Sequence, residues 1–246
     1  MVAGSSGWWR GSSDGPPPDA GAGAPVEWDP VRVEKLILQQ LVAREVHDER
    51  VLDAMRRVPR SAFVPPGEDP YFDGPIPIGE GQTISQPYVV ARMTELLDVK
   101  PGMSVLEIGV GSGYKTAVLA AMGAEVFGVE RHASLVEKAR RSLARAGFLD
   151  RVHLHVGDGT KGWPDAREFD RILAAAGAPE LPRRLLLHQL ADGGRAVLPI
   201  GPMESQRIYV IDRRRAEFEM RALDPVRFVP LIGEEGWRGR GEPGPE

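Results

Sequence analysis

The stretch Val105-Leu106-Glu107-Ile108-Gly109-Val110-Gly111-Ser112-Gly113-Tyr114 constrains this chain more than any other. Its apolar start reads as a strand, its alternating glycines as a sharp turn, and the Ala-rich Thr116–Met122 behind it as a helix. Glycines on alternate positions let the backbone turn tightly, take positive φ, and lie against a ligand with no Cβ between. A strand feeding a loop of this kind and then a helix is the start of an open, twisted α/β sheet.

The spacing is G-x-G-x-G, so the third glycine arrives one residue earlier than in the dinucleotide fingerprint G-x-G-x-x-G. A second apolar run, Glu125–Glu130, ends on an acid, where an α/β nucleotide site places the carboxylate that accepts hydrogen bonds from ribose hydroxyls. A third run, Val152–Val156, is followed by Gly157-Asp158-Gly159. Three strand ends therefore offer loops to one ligand: Gly109, Gly111 and Gly113, then Glu130, then Asp158 and Gly159. The early third glycine and the lack of a Walker lysine-serine pair favour S-adenosylmethionine over NAD or ATP. Lys115 follows Gly113 at a distance that does not fit a P-loop.

With 246 residues the chain can bury one good α/β core and is short for two independent domains. Residues 1–30 read as a disordered low-complexity tail, because Gly4–Pro25 is almost all Gly, Ser, Pro, Ala and Asp. Trp8 and Trp9 lie in it; they are expected to play no part in activity, the alternative being a docking spot for a partner. Residues 31–235 are expected to form a single domain: helices and a substrate loop over 31–100, a cofactor-binding core over 101–200, and a C-terminal hairpin and closing segment over 201–235. Residues 236–246 are expected to be an exposed tail.

Within that domain, Val33, Leu36, Ile37, Leu41 and Val42 fall at helical spacing. Asp48 caps a second helix with Val51, Leu52, Met55 and Val58 inward, and Pro59 ends it. Pro65–Pro77 reads as an irregular loop of a kind that forms lids. The polar segment Ile78–Tyr88 precedes the helical run Val89–Leu97, with Ser85 placed to cap that helix and Pro87 in its first turn. Gln82, Thr83, Ser85 and Gln86 supply more hydrogen-bonding groups than a cap requires, and a helix N-terminus suits a carboxylate substrate. Phe169–Ala175 reads as a fourth strand, Arg183–Leu190 as a helix and Arg195–Ile200 as a strand. Gln206–Asp212 and Glu217–Leu223 read as an antiparallel hairpin whose basic tip, Arg213-Arg214-Arg215-Ala216, is a solvated turn. Phe228–Gly233 is apolar enough to pack back on the core.

Composition narrows the chemistry. Without cysteine the chain has no disulfide, no Cys-ligated zinc and no cysteine nucleophile. The histidines lack H-E-x-x-H spacing, and His153 and His155 read as a half-exposed strand face, so no metal is expected. A net charge of −4 argues against nucleic-acid binding. No apolar run reaches the ~18 residues of a membrane span, and Met1–Arg10 lacks the apolar core of a secretion signal. The cytoplasm is the expected compartment and a monomer the expected state.

Gly81-Gln82-Thr83-Ile84-Ser85-Gln86-Pro87, the glycine loop, Ala178-Pro179-Glu180-x-Pro182 and Phe228-Val229-Pro230-Leu231 together resemble, in order, the motifs of the protein-L-isoaspartate O-methyltransferases. Val58-Pro59-Arg60-x-x-Phe63-Val64 fits the same pattern, and the likeness spans roughly Val33 to Ile232. The resemblance implies a Rossmann-like S-adenosylmethionine-dependent fold, a doubly wound, mostly parallel sheet with an antiparallel C-terminal hairpin. It implies methyl transfer to the free α-carboxylate of L-isoaspartyl residues in damaged proteins, which makes such peptides and proteins the partners. The family's active-site serine falls on Ser85, with Thr83 and Gln86 beside it toward substrate. Its cofactor contacts fall on the Gly109–Gly113 loop, Glu130 and Asp158-Gly159. Ala175 stands where the pattern has threonine, and Gly177 where alanine is common. Two other functions keep the fold: methylation of aspartates on a dedicated peptide, and a non-catalytic isoaspartyl-binding module.

Overall fold

The computed structural model describes residues 28–238 and 242–243; Trp8, Trp9 and most of the expected tail lie outside them. The chain enters through α1 (Pro30–Leu36), where Asp29 accepts from the Val31 and Arg32 amides and Pro30 fills the first turn. The helix continues as a π turn over Ile37–Leu41 and a 3-10 turn over Val42–Arg44, and stops at Glu45 with φ +64°. α2 (Glu49–Arg57) is capped by Asp48 and buries Val51, Leu52, Ala54 and Met55. Val58 is already extended, as the residue before a proline is pushed to be.

Ile78–Tyr88 contains more regular structure than its polar sequence predicts. β1 (Ile76–Gly79) and β2 (Gln82–Ile84) pair as an antiparallel hairpin around Glu80 and Gly81. Both turn residues have positive φ, +52° and +68°, the condition for a tight two-residue hairpin turn. α3 (Pro87–Leu97) follows. Its cap is Gln86 and not Ser85, and no side chain bonds its free amides, so the expected capping role of Ser85 is corrected.

The central sheet then forms: β3 (Ser104–Ile108), α4 (Tyr114–Ala121), β4 (Glu125–Glu130), α5 (Ala133–Arg145), β5 (Val152–Val156), β6 (Phe169–Ala174), α6 (Arg183–Gln189), β7 (Leu190–Ile200), β8 (Gln206–Arg214) and β9 (Glu217–Val226). The seven strands lie in the order β5-β4-β3-β6-β7-β8-β9, parallel as far as β7 and antiparallel from there. The chain moves outward from β3 in one direction and resumes on its other flank at β6. Such a reversal opens a crevice at the carboxyl ends of the strands. Alternation along β3 feeds two cores. Val105 packs with α2 to α5 on one face, while Leu106 and Ile108 join Leu185 and Leu186 of α6 on the other.

The C-terminal part differs from expectation in three places. β7 starts at Leu190, so Asp192-Gly193-Gly194 lies inside the strand as an irregularity. Arg213 belongs to β8 and only 14% of its side chain is exposed; it pairs with Glu168 and donates to the Leu190 carbonyl, so the triple arginine is not simply a solvated turn. The first residues of the expected exposed tail are packed: Trp237, which pairs with Pro243 in a short β10 (Trp237–Arg238) and β11 (Glu242–Pro243) ribbon, is 7% exposed. Its indole Nε1 donates to the Gly177 carbonyl at 3.0 Å, and Gly177 N donates to Val229 O at 2.8 Å. The closing segment is thereby fastened to the loop after β6. Trp237→Ala is expected to cost about 3–5 kcal/mol in denaturant unfolding, the range for truncating a buried tryptophan.

Candidate active site

The loops after β3, β4 and β6 start level because the parallel strands are in register, Ile108 beside Val129 on one side and Ala174 on the other. Backbone bonding carries on past the strands: Gly109 N donates to Val129 O at 2.9 Å and Ala175 N to Ile108 O at 2.8 Å. Gly109, Gly111 and Gly113 all have positive φ, +83°, +56° and +87°. The Glu130 carboxylate, 5% exposed, accepts from Gly111 N at 3.1 Å with one oxygen and from His132 N at 3.0 Å with the other. It fixes the glycine loop to the end of β4. Gly113 does something different from the other two. A Cβ there would come 3.2 Å from Ala139 Cβ, so this glycine lets α4 approach α5 and lies off the cavity wall.

A cavity runs between Gly109–Ser112, Glu130, the β2 segment and Val229–Ile232. A second cavity opens beside it, bounded by Gln86, Tyr88, Arg92, Asp224 and Phe228 among others. Thr83, Ser85, Ala175, Val229 and Pro230 belong to both walls. Ser85 is half-buried at this boundary, and its hydroxyl has no hydrogen-bond partner among the described residues. Thr83 is exposed beside it. Gln86 faces only the second cavity, and its amide is engaged with Asp73 Oδ1 at 2.8 Å. Gly159 reaches the first cavity, and a Cβ on it would come 2.5 Å from Ile108 Cγ2. Asp158 does not line it: one carboxylate oxygen accepts from Thr160 N and Oγ1, the other from Glu234 N at 2.8 Å. Its visible work is to hold the loop over residues 233–235. His153 stacks on Phe127 at 4.5 Å, and no cluster among the described residues is placed to hold a metal ion.

Two buried charged residues on the first cavity's wall were not among the sequence candidates. Glu107 is fully buried; Thr116 Oγ1 donates to its Oε2 at 2.6 Å, while its Oε1 has no partner. Lys115 is 5% exposed and its Nζ has no partner. Burial pushes the Glu107 carboxyl up to about 7, against the opposing pull of Lys115 and Thr116. It draws Lys115 down to about 8, against the pull of Glu107. The signal was present in the sequence as an acid within the apolar run of β3 and a lysine at the start of an Ala-rich helix.

The sequence profile described as Protein-L-isoaspartate(D-aspartate) O-methyltransferase matches residues 31–236. A protein-L-isoaspartate O-methyltransferase of Methylorubrum populi is 51% identical over 208 residues, covering 83% of this chain and 97% of that protein. Another, of Methanoculleus marisnigri, is 47% identical over 222 residues, covering 89% of this chain and 100% of that protein. A Plasmodium falciparum structure described as a protein-L-isoaspartate O-methyltransferase in complex with S-adenosyl-L-homocysteine is 28% identical. It superposes with a TM-score of 0.70 and covers 82% of this chain and 97% of that one.

The buried pair gives a pH test. Glu107, with a raised pKa, favours folding most below about pH 4.5, and that contribution is lost as pH rises through about 7. Lys115, with a lowered pKa, contributes above about pH 10.5 and loses that contribution as pH falls through about 8. Lys115→Met leaves Glu107 without its opposing charge. The variant should be at least as stable as wild type at about pH 5 and fall behind steadily toward about pH 9, by up to ~3–5 kcal/mol. Adding Glu107→Gln should remove most of the pH dependence in thermal unfolding.

Proposed function

The chain belongs to the protein-L-isoaspartate(D-aspartate) O-methyltransferase family, and from that premise we propose that Ser85 orients the acceptor carboxylate where the two cavities meet. The enzyme methylates the free α-carboxylate of L-isoaspartyl residues in damaged proteins, using S-adenosylmethionine. Esterification makes succinimide closure easy, and succinimide hydrolysis returns some normal aspartate. The observation that carries the proposal is the Ser85 hydroxyl, on the boundary between the two cavities and without a hydrogen-bond partner among the described residues.

When bound, S-adenosylmethionine supplies a methyl group on a positively charged sulfur. The residues of the first cavity fit it. Glu130 keeps a lone pair on each oxygen for ribose hydroxyls beside the two backbone amides it already holds. The glycine backbone at Gly109 and Gly111 offers a wall without Cβ atoms. Glu107 Oε1 and Lys115 Nζ, buried and unpaired, are opposite charges on a wall that must face a ligand carrying both an ammonium and a carboxylate. Gly159 closes the far side, while Asp158 acts on the cofactor site indirectly, through the loop it holds.

On the acceptor side, a carboxylate with an ordinary pKa near 4 is ionised at neutral pH, so no general base is needed. Ser85 donates a hydrogen bond that aims one oxygen across the boundary. Thr83 and Gln86 shape the entry from the second cavity. Alignment of donor and acceptor supplies on the order of 7–11 kcal/mol of rate acceleration. We read the protein as a cytoplasmic monomer; no described helix is long and apolar enough to cross a membrane.

Two peptides that differ only in carrying L-isoaspartate or L-aspartate test this directly. Labelled methyl should appear on the isoaspartyl peptide alone, and label on neither peptide would sink the repair reading. Ser85→Ala should lower kcat/KM for the isoaspartyl peptide about 10- to 100-fold, the ~1.5–3 kcal/mol of a hydrogen bond to a charged group. Its affinity for S-adenosyl-L-homocysteine should stay unchanged, and an undiminished kcat/KM would exclude the role.

A further inference from the structure

Arg60 is a buried cation with no carboxylate partner among the described residues. It stands in the 3-10 turn Arg60–Ala62 that follows Pro59, and is 5% exposed. Its Nη2 donates to the Ser85 carbonyl at 2.8 Å, and its guanidinium lies 4.7 Å from the centre of the Tyr114 ring. Nε and Nη1 have no partner. Tyr114 is the first residue of α4, directly behind Gly113, and Phe63 packs edge-on against its ring at 5.7 Å. A guanidinium stripped of water and left with unmade hydrogen bonds is costly, and an apolar side chain would fill the same space without that cost. Its presence here calls for a reason that packing does not supply.

The contacts supply one. Ser85 ends the segment that faces the acceptor, and Tyr114 starts the helix behind the cofactor loop. The Arg60 side chain touches both. We propose that Arg60 is a positioning residue for methyl transfer: it ties the Ser85 carbonyl to the Tyr114 ring and so holds the Ser85 hydroxyl at its working distance from the cofactor loop. This rests on the role given to Ser85 above. The guanidinium stays charged at neutral pH although burial draws its pKa down to about 10. Its own side chain lines neither cavity and reaches them through Ser85 and Tyr114, both on the first cavity's wall.

Arg60→Met tests the clamp with an isoaspartyl peptide and S-adenosyl-L-homocysteine as probes. The expected result is a kcat/KM lowered ~10–100-fold, the scale of a misplaced reactant, with the S-adenosyl-L-homocysteine affinity within about threefold of wild type. In a Ser85→Ala background the same change should cost less than about threefold, because both substitutions remove one function. Arg60→Lys keeps the charge without the planar fork, and should recover stability but not full turnover. It is the variant to read if Arg60→Met does not fold.

Three results would overturn the proposal: turnover of the folded Arg60 variant within about threefold of wild type, S-adenosyl-L-homocysteine affinity falling in step with turnover, or an undiminished loss in the Ser85→Ala background. If wild type methylates no isoaspartyl peptide, the substrate reading fails. Hydrogen exchange then decides on the clamp alone. Amides of residues 82–86 should exchange at least about tenfold faster in the Arg60 variant, ~1.4 kcal/mol of lost local protection, and unchanged exchange would refute it.

Discussion

The site depends on one carboxylate that serves two backbones. Glu130 receives the Gly111 amide on one oxygen and the His132 amide on the other. A loop of alternating glycines has no conformational preference strong enough to hold itself. Parallel register brings Ile108 and Val129 to the same level, but register ends where the strands end. Beyond that edge the Glu130 bonds take over, each strengthened because its acceptor is charged. The same side chain therefore fixes the loop's shape and presents its remaining lone pairs to the cavity.

What could be read from the sequence is what local chemistry decides. Glu125–Glu130 and Val152–Val156 have in the structure the bounds expected of them: the first is an inner strand and reads as an apolar run bracketed by turns, the second is the edge strand and reads as apolar residues alternating with His153 and His155. Asp48 caps its helix as expected, since a cap involves only neighbouring residues. The misreadings concern partners that the local residue pattern does not name. Ser85 stands one residue before the true cap because the chain is still leaving β2, whose pairing with β1 is invisible in a polar stretch. Trp237 stands in a segment rich in glycine and charge, and its indole finds its partner in the Gly177 carbonyl, sixty residues away.

The same division runs through the site. Glycines, the acid at the end of β4 and the polar segment after β1 carry their signals locally, and Gly109, Gly111, Glu130, Thr83 and Ser85 do come together around one cavity. Asp158 shows the limit of that logic: its place after β5 is as expected, yet its oxygens serve Thr160 and Glu234. Arg60, Glu107 and Lys115 show the converse. Each is a common surface residue type; an apolar or Ala-rich setting hints at Glu107 and Lys115, but burial, a property of the assembled sheet and helices, gives all three their meaning.

The charge arrangement also suits the reaction. An anionic acceptor and a cationic donor lose charge as the methyl group moves between them, so the transition state is less charged than the reactants. Surroundings that solvate ions strongly would favour the reactants over that state. The boundary between the cavities is consistent with this: Ala175, Val229 and Pro230 are apolar, and the hydrogen-bonding groups beside them, Thr83 and Ser85, are neutral hydroxyls. A guanidinium directly against the acceptor would bind it more tightly and slow its attack. Arg60 avoids this by meeting the protein's own carbonyl at Ser85, so its rigidity reaches the acceptor side while a peptide unit stands between its charge and the reacting carboxylate.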